Sequence, residues 1–160
     1  MSGYITNPYK QEKTAIYLGK EVKIIDASKS DAIVIEFDNG TRKTVSKVEL
    51  MSNSLFSWNQ SLIESNNERI EKYTAQAKEA DAEADALRKQ IKSITSEIRS
   101  KCSEWGTKFK HAMNAEQRSE YSSLTDEKQD FICARTAAKN RAHGGYLAAF
   151  LCACSNNKLG

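Results

Sequence analysis

An apolar repeat of seven residues between Phe56 and Trp105 is the feature that most constrains this chain. Every position a and d of the repeat is apolar between Ile70 and Ile98, a pattern typical of a coiled-coil helix. At ~1.5 Å per residue, a helix over residues 56–105 would be ~75 Å long. One helix cannot bury its own apolar stripe, so we expect it to pack against another. The predicted oligomer seam consists of Ile63, Ile70, Tyr73, Ala77, Ala80, Ala84, Leu87, Ile91, Ile94 and Ile98.

The width and polarity of this seam vary along its length. Ala77, Ala80 and Ala84 narrow it, so a partner backbone could approach closely, which favours an antiparallel or bundled neighbour. Asn59 and Asn66 occupy d positions, where an amide is costly in a dry core. They predict a wetter end of the seam.

The ends of the long helix are also marked in the sequence. Asn53 or Ser54 is expected to cap its start. After Ile98 the apolar spacing shifts by a four-residue insertion that continues to Phe109, and such an insertion locally unwinds a supercoil. Gly106 lies beside this shift and predicts a kink or a break in the helix.

The residues after this break predict further, shorter helices. Asn114 with Gln117 three residues later is typical of a capped helix start. Thr125, which two acidic residues follow, predicts another start. Gly144-Gly145 is expected to end or bend that second helix. The apolar piece Tyr146–Cys154 is then predicted to be a short helix because it is rich in Ala and Leu.

Residues 115–154 are expected to fold back antiparallel along the long helix. That packing would cover one stripe of the long helix and leave another exposed. We therefore predict that the chain is a homo-oligomer, most simply a dimer, held together through the leftover stripe.

The first third of the chain has a different period. Between residues 14 and 50 apolar and polar residues alternate, as in half-buried strands. The Asp-Asn-Gly sequence at 38–40 is typical of a tight turn, and residues 41–45 read as the second arm of a hairpin. Val48 and Leu50 are expected to close the end of a small barrel.

These strands carry a resemblance to a known kind of domain. The stretch GKEVKIIDASKSDAIVIEFDNGTRKTVSKVEL resembles an SH3-like barrel of the KOW and Tudor kind, within residues 18–50. The resemblance implies a small curved sheet that binds nucleic acid, methylated tails or other proteins. We predict an α+β chain: a small SH3-like β-barrel domain at 1–52, then a coiled-coil and helical-bundle domain at 53–160 with antiparallel return helices.

The charge of the chain is spread evenly. Residues 1–50 hold 8 Lys and Arg against 7 Asp and Glu, residues 51–113 hold 10 against 9, and residues 114–160 hold 6 against 5. A dedicated nucleic-acid binder concentrates positive charge. Nucleic-acid binding is therefore the alternative function, through the barrel and the Arg135–Arg141 run. Its candidate contacts are Lys20, Lys23, Arg42, Lys43, Lys47, Arg135, Lys139, Arg141 and His143. The last three lie next to Gly144-Gly145, where freed backbone amides could also help them to bind an anion.

The residue types needed for catalysis or metal binding do not form a recognisable pattern. Cys152 and Cys154 have the wrong spacing for a pair of zinc ligands, and the sequence has no second cysteine or histidine pair to complete such a site. Neither His111 nor His143 belongs to a nucleophile–base motif. We predict no metal, no cofactor and no enzymatic activity.

The expected location is the cytoplasm. The first residues have no secretory signal pattern, and the longest apolar run, Tyr146–Cys154, is too short to span a bilayer. The four cysteines are then expected to be reduced.

The leading functional prediction is a non-enzymatic, oligomeric interaction protein. The helical part would hold the small barrel out as a binding module. In size and in its SH3-like head, the chain resembles accessory proteins of phages and mobile elements that bind and modulate a host protein. The expected partner is therefore a protein, and no membrane is expected.

Overall fold

The structure, a computed structural model, describes residues 7–160. Five strands precede two long helices, which confirms the predicted α+β class. The strands are β1 (Thr14–Tyr17), β2 (Lys20–Asp26), β3 (Ile33–Glu36), β4 (Arg42–Val45) and β5 (Leu50–Met51), and the helices are α1 (Asn53–Trp105) and α2 (Ala115–Leu159). Short 3-10 turns lie at Lys47–Glu49 and Lys110–Ala112.

The strands form one curled antiparallel sheet in the order β4-β3-β2-β1-β5. Alternate residues point to the concave side, where Ala15, Val22, Ile33, Ile35 and Val45 are buried in one apolar cluster. The removal of these apolar side chains from water stabilises the sheet, although its five strands lie within residues 14–51. The prediction of a strand-rich region with a barrel-like, curled sheet is confirmed.

The predicted turn at 38–40 is present, and Gly40 adopts φ 81°. Its amide donates to the Phe37 carbonyl at 2.8 Å, and the Phe37 amide donates to the Thr41 carbonyl at 2.9 Å. The prediction for Val48 is wrong, because its side chain is 83% exposed whereas Leu50 is buried. Val48 lies in a 3-10 turn, whose three-residue period turns it outward.

The N-cap of helix α1 lies one residue before the first predicted cap, Asn53. The Ser52 hydroxyl accepts the Leu55 amide at 3.2 Å, so Ser52 is the N-cap, while the Asn53 amide side chain donates to the Thr14 hydroxyl at 2.7 Å. At the other end Gly106, with φ 68°, ends the helix as predicted.

The connection after α1 corrects the predicted four-residue insertion. The Thr107 amide donates to the Cys102 carbonyl, and the Gly106 amide donates to the Ser103 carbonyl, which is the paired bonding of a Schellman C-cap. Phe109 lies beyond the helix end, so the shifted spacing does not continue along α1 to that residue.

Helix α2 begins with the predicted cap. The Asn114 side-chain oxygen accepts the Gln117 amide at 2.9 Å, and the Gln117 side chain accepts the Asn114 amide at 3.0 Å. The second predicted start is wrong: Thr125 lies inside α2, and its hydroxyl donates to the carbonyls of Tyr121 and Ser122. A threonine can therefore satisfy its hydroxyl within a helix as well as at a cap.

The predicted helix end at Gly144-Gly145 is also wrong, because α2 continues to Leu159. A glycine pair weakens an isolated helix by ~1 kcal/mol per residue. Tertiary packing reverses that preference here, since Gly145 lies against Ala77 and the Tyr73 carbonyl of α1.

The described residues separate into two compact units. One contains residues 7–67 together with 154–160, and the other contains Glu68–Ala153. Within the second unit the helices are antiparallel: Lys101 pairs with Glu120 at 2.8 Å, and Asp81 pairs with Lys139 at 3.2 Å. An antiparallel return helix was predicted, and it is observed.

Candidate interaction surfaces

The ten residues of the predicted seam lie on one face of α1 and are all buried or half-buried. In the second unit that face packs against α2 of the same chain. Ala77, Ala80, Ala84 and Ile94 are buried there, whereas Ile63, in the first unit, is half-buried. The stripe predicted to join two chains is therefore occupied, from Ile70 to Ile98, by the chain's own second helix.

Helix α2 has a seven-residue repeat of its own, which the sequence analysis missed. Its buried and half-buried positions recur at alternating steps of four and three residues: Gln117, Tyr121, Leu124, Lys128, Phe131, Arg135, Ala138, Ala142, Gly145, Ala149, Cys152, Asn156 and Leu159. The spacing was available in the sequence. Polar residues at several of the positions hid it from an apolar-pattern search.

The two helices approach each other closely at small residues on both. A Cβ added to Gly145 would lie 2.9 Å from the Ala77 Cβ and 3.0 Å from the Tyr73 carbonyl oxygen. Ala138 and Ala142 are buried on the same face of α2. The narrow part of the α1 seam is therefore matched by an equally narrow part of α2.

In the first unit the predicted polar end of the seam is satisfied by the end of α2. The buried Asn59 side chain donates to the Leu159 carbonyl at 3.4 Å. The Asn66 amide donates to the Asn156 side chain at 2.9 Å, and Asn156 donates in turn to Asn67 at 2.9 Å. Because each amide finds a partner, these positions avoid the cost of an unpaired polar group.

The basic residues of α2 do not converge on one surface. Lys139 pairs with Asp81 at 3.2 Å on one side of the helix pair, and Arg141 pairs with Glu83 on the other. His143 is exposed on a third side. The predicted anion cradle also lacks free amides, since α2 continues through residues 139–145.

The remaining basic candidate on α2, Arg135, lies in the seam. Its side chain is half-buried, and its Nε is buried without a hydrogen-bond partner among residues 7–160. Further along α2, partial burial raises the pKa of the Tyr146 phenol, and a hydrogen bond to Asp81 raises it further. Lys139 and Arg141 are thus paired with α1, and Arg135 is half-buried between the helices.

The basic candidates of the sheet are divided between its two sides. Lys23, Glu36 and Arg42 form a row across three strands, in which Arg42 pairs with Glu36 at 2.8 Å. Lys43 lies on the concave side, where it donates to the Tyr17 hydroxyl at 2.6 Å. That hydrogen bond raises the pKa of Lys43.

The other two basic candidates of the sheet stand apart from this row. Lys20 opens β2 opposite Tyr17, and Lys47 lies in the 3-10 turn before β5. The sheet candidates thus form no single basic patch.

Two exposed aliphatic side chains stand on the rim of a groove in the first unit. Leu18 and Val48 are each 83% exposed. The groove encloses about 510 Å³, and its apolar lining is completed by Ile16, Leu50, Met51, Phe56 and Leu159. We name it the sheet groove.

Leu18 occupies an unusual backbone conformation at this rim. It forms the two-residue turn between β1 and β2 with Gly19, and the two residues have φ 49° and 78°. Asn-Gly is the preferred pair in such a turn, and a left-handed conformation costs a non-glycine residue ~1–2 kcal/mol. A bulky apolar residue is held here, in water, at a cost to stability.

A second apolar surface lies on the side of α2 that points away from α1. We call it the α2 outer face, and it comprises Cys133, Thr136, Ala137, Asn140, His143, Gly144, Leu147, Phe150, Leu151 and Cys154. Phe150 is 63% and Leu151 is 58% exposed. None of the ten is Asp, Glu, Lys or Arg.

The connection between the helices carries a smaller basic and aromatic cluster. The exposed Phe109 ring stacks on His111 with centroids 5.6 Å apart, and the Lys108 ammonium lies 5.6 Å from the Phe109 ring centre. The sequence analysis did not assign a site to this segment.

Within residues 7–160 no group of three or more His, Cys, Asp and Glu side chains is arranged to hold a metal ion. All four cysteines are free thiols. No helix in this part of the chain is long and apolar enough to cross a membrane.

Comparison with protein-family models, with curated protein sequences and with solved structures finds no match to this chain.

Proposed function

We propose that this chain is a non-enzymatic interaction protein whose small SH3-like barrel binds a protein partner through the sheet groove. The observation that carries the proposal is Leu18, an exposed leucine in a left-handed turn on the rim of that groove. The resemblance to KOW and Tudor barrels supports the same role, because such barrels serve as binding modules.

The energetics of the rim favour a partner with apolar side chains. Covering Leu18 and Val48 would contribute ~2–3 kcal/mol each, at ~25 cal/mol per Å² of apolar surface removed from water. That gain offsets the cost of holding Leu18 in its turn. Met51 adds a flexible side chain that can adapt to different shapes, and Glu49 and Gln60 supply polar groups at the edge.

The class of partner follows from the resemblance to phage and mobile-element accessory proteins. Those proteins bind and modulate a host factor, so we propose a host protein as the partner.

A comparative pull-down from host lysate tests this proposal. The wild-type chain is compared with a Leu18→Asn/Val48→Asn variant, which keeps the turn and removes the apolar rim. Ile25→Asn is the matched control, because Ile25 is an exposed aliphatic residue of β2 that does not line the groove.

We expect a protein that the wild type and the control retain and that the rim variant loses. If all three retain the same proteins in equal amounts, the sheet groove is not the binding site. Circular dichroism of each variant checks that the fold is intact.

Nucleic-acid binding remains the second candidate. The Lys108, Phe109 and His111 cluster favours it, since exposed aromatic rings beside cations can stack on unpaired bases. Against it, Arg42, Lys139 and Arg141 are engaged in ion pairs within the chain. A gel shift with single-stranded DNA at low and moderate salt decides: no shift at low salt excludes this function.

A further inference from the structure

We infer that the α2 outer face docks a second copy of this chain, with the two α2 helices antiparallel and crossing near Leu147. The inference deepens the proposed function, since both treat the chain as an interaction protein. Its central residues, Gly144, Leu147 and Phe150, belong to the second unit, whereas the sheet groove belongs to the first.

The outer faces of the two helices differ in charge. On α1, the corresponding outward positions b, c and f between residues 68 and 99 include nine charged residues among fourteen. On α2, the ten positions of the outer face include none. A helix face that stays in water is normally polar and charged, so α1 follows the rule and α2 departs from it.

Gly144 gives a second and independent reason. A glycine inside a helix weakens it relative to alanine, and a close neighbour usually explains its presence. Gly145 has such a neighbour in Ala77, but a Cβ on Gly144 would meet nothing within 4 Å. An approaching helix would use the space above Gly144.

The face is complementary to itself. In an antiparallel pair centred on Leu147, Phe150 of one copy lies opposite Gly144 of the other. The same register sets Asn140 against Cys154 and Leu147 against Leu147, so Phe150 meets a position without a side chain while the two leucines meet on the axis. A two-fold axis would apply both contacts twice, as an isologous interface requires.

The area is close to what a stable dimer needs. Leu147, Phe150 and Leu151 are between 48% and 63% exposed, which corresponds to about 300 Å² per copy for side chains of this size. The pair would cover about 600 Å² from these three residues, and the seven other positions of the face bring it towards the ~1,200 Å² of a small specific interface. We therefore expect a dimer that dissociates at micromolar concentrations.

A second copy is the occupant that the charges favour. Self-pairing of an uncharged face brings no like charges together. A charged partner would gain no complementary contacts on it. A different apolar protein on the same face is an outcome that the test below distinguishes.

Sedimentation of the full chain tests the inference, at concentrations from about 1 to about 200 µM. We expect the wild-type mass to rise from 17.9 kDa towards twice that value. Leu147→Glu/Phe150→Glu should stay monomeric throughout, with its helical circular dichroism preserved. Ala75→Glu/Ala82→Glu, at outward exposed positions of α1, should dimerise like the wild type.

A cross-link tests the register without depending on those charged variants. In a Cys133→Ser background, Asn140→Cys should form an oxidised dimer with the native Cys154 of the other copy. Adding Cys154→Ser should abolish that dimer band. The two positions lie fourteen residues apart on one helix, about 21 Å, so they cannot bridge within a chain.

Several outcomes overturn the inference. These are a wild-type chain that stays monomeric, a dimer that survives Leu147→Glu/Phe150→Glu, and a cross-link that persists without Cys154. A monomeric chain that loses a lysate protein through the same variant would assign the face to another partner. Leu18→Asn/Val48→Asn should leave the dimer unchanged, so failure of the sheet groove and failure of this face are separable.

Discussion

Gly144 and Gly145 are adjacent in one helix, yet their replacement by alanine should change stability in opposite directions. Gly144→Ala adds a methyl group into open space. It should gain the ~0.5–1 kcal/mol by which alanine exceeds glycine inside a helix. Gly145→Ala receives the same gain, but its methyl group meets α1.

The size of the opposing effect at Gly145 follows from the contacts. The new Cβ would lie 2.9 Å from the Ala77 Cβ and 3.0 Å from the Tyr73 carbonyl oxygen. Neither atom is the end of a flexible side chain, so the helices must move apart. Overpacking of this kind costs ~1–3 kcal/mol. We therefore expect a net loss of ~0.5–2 kcal/mol, and a difference of ~1–3 kcal/mol between the two variants.

Urea unfolding followed by the helical circular dichroism signal measures this difference. The assay uses a protein concentration at which sedimentation shows a monomer, because dimer formation would add to apparent stability. Equal stabilisation by both substitutions would refute the close approach of the helices at Gly145. Ala77→Gly combined with Gly145→Ala supplies the control: it removes one of the two clashing atoms, so the double variant should be more stable than the sum of the single changes predicts.

Three further predictions concern other parts of the chain. Leu18→Asn should raise the free energy of unfolding by ~1 kcal/mol, because asparagine tolerates the left-handed turn; a loss of stability in urea unfolding would contradict the strain. Asn114→Ala should lower the free energy of unfolding by ~1 kcal/mol, because the reciprocal cap is lost. If Gln117→Ala causes no further loss when it is added to Asn114→Ala, the two residues act together. Asn156→Ala should cost ~1–2 kcal/mol, because Asn66 and Asn67 each lose a partner; protection of the nearby amides in hydrogen exchange should fall, and unchanged protection would argue against the network.

Several elements could be predicted because their causes are local. The heptad repeat of α1 specifies a helix with one apolar stripe, wherever its partner lies. Gly106 and Asn114 mark helix ends through their own backbone preferences and side-chain bonds. The Asp-Asn-Gly turn likewise depends on four neighbouring residues.

The candidate site was predicted less well. The sheet groove depends on Val48, which period-two reasoning assigned to the interior although a 3-10 turn directs it outward. The Leu-Gly pair at 18–19 was the available signal, since it stands where a hairpin turn prefers Asn-Gly. The arrangement of the basic residues on α2 could not be predicted, because the ion-pair partners of Lys139 and Arg141 lie on α1, far away in sequence.

The sequence by itself determined the two periods of this chain, the α+β class, and the long helix with its antiparallel return. Tertiary structure decided that α2 passes through Gly144-Gly145 and that the chain's own second helix fills the α1 seam. The physical reason is the same in both cases. A helical pattern predicts which residues pack, but it does not show what they pack against. In an isolated helix a glycine lowers stability. At Gly145 the absent side chain instead allows α2 to approach Ala77 of α1.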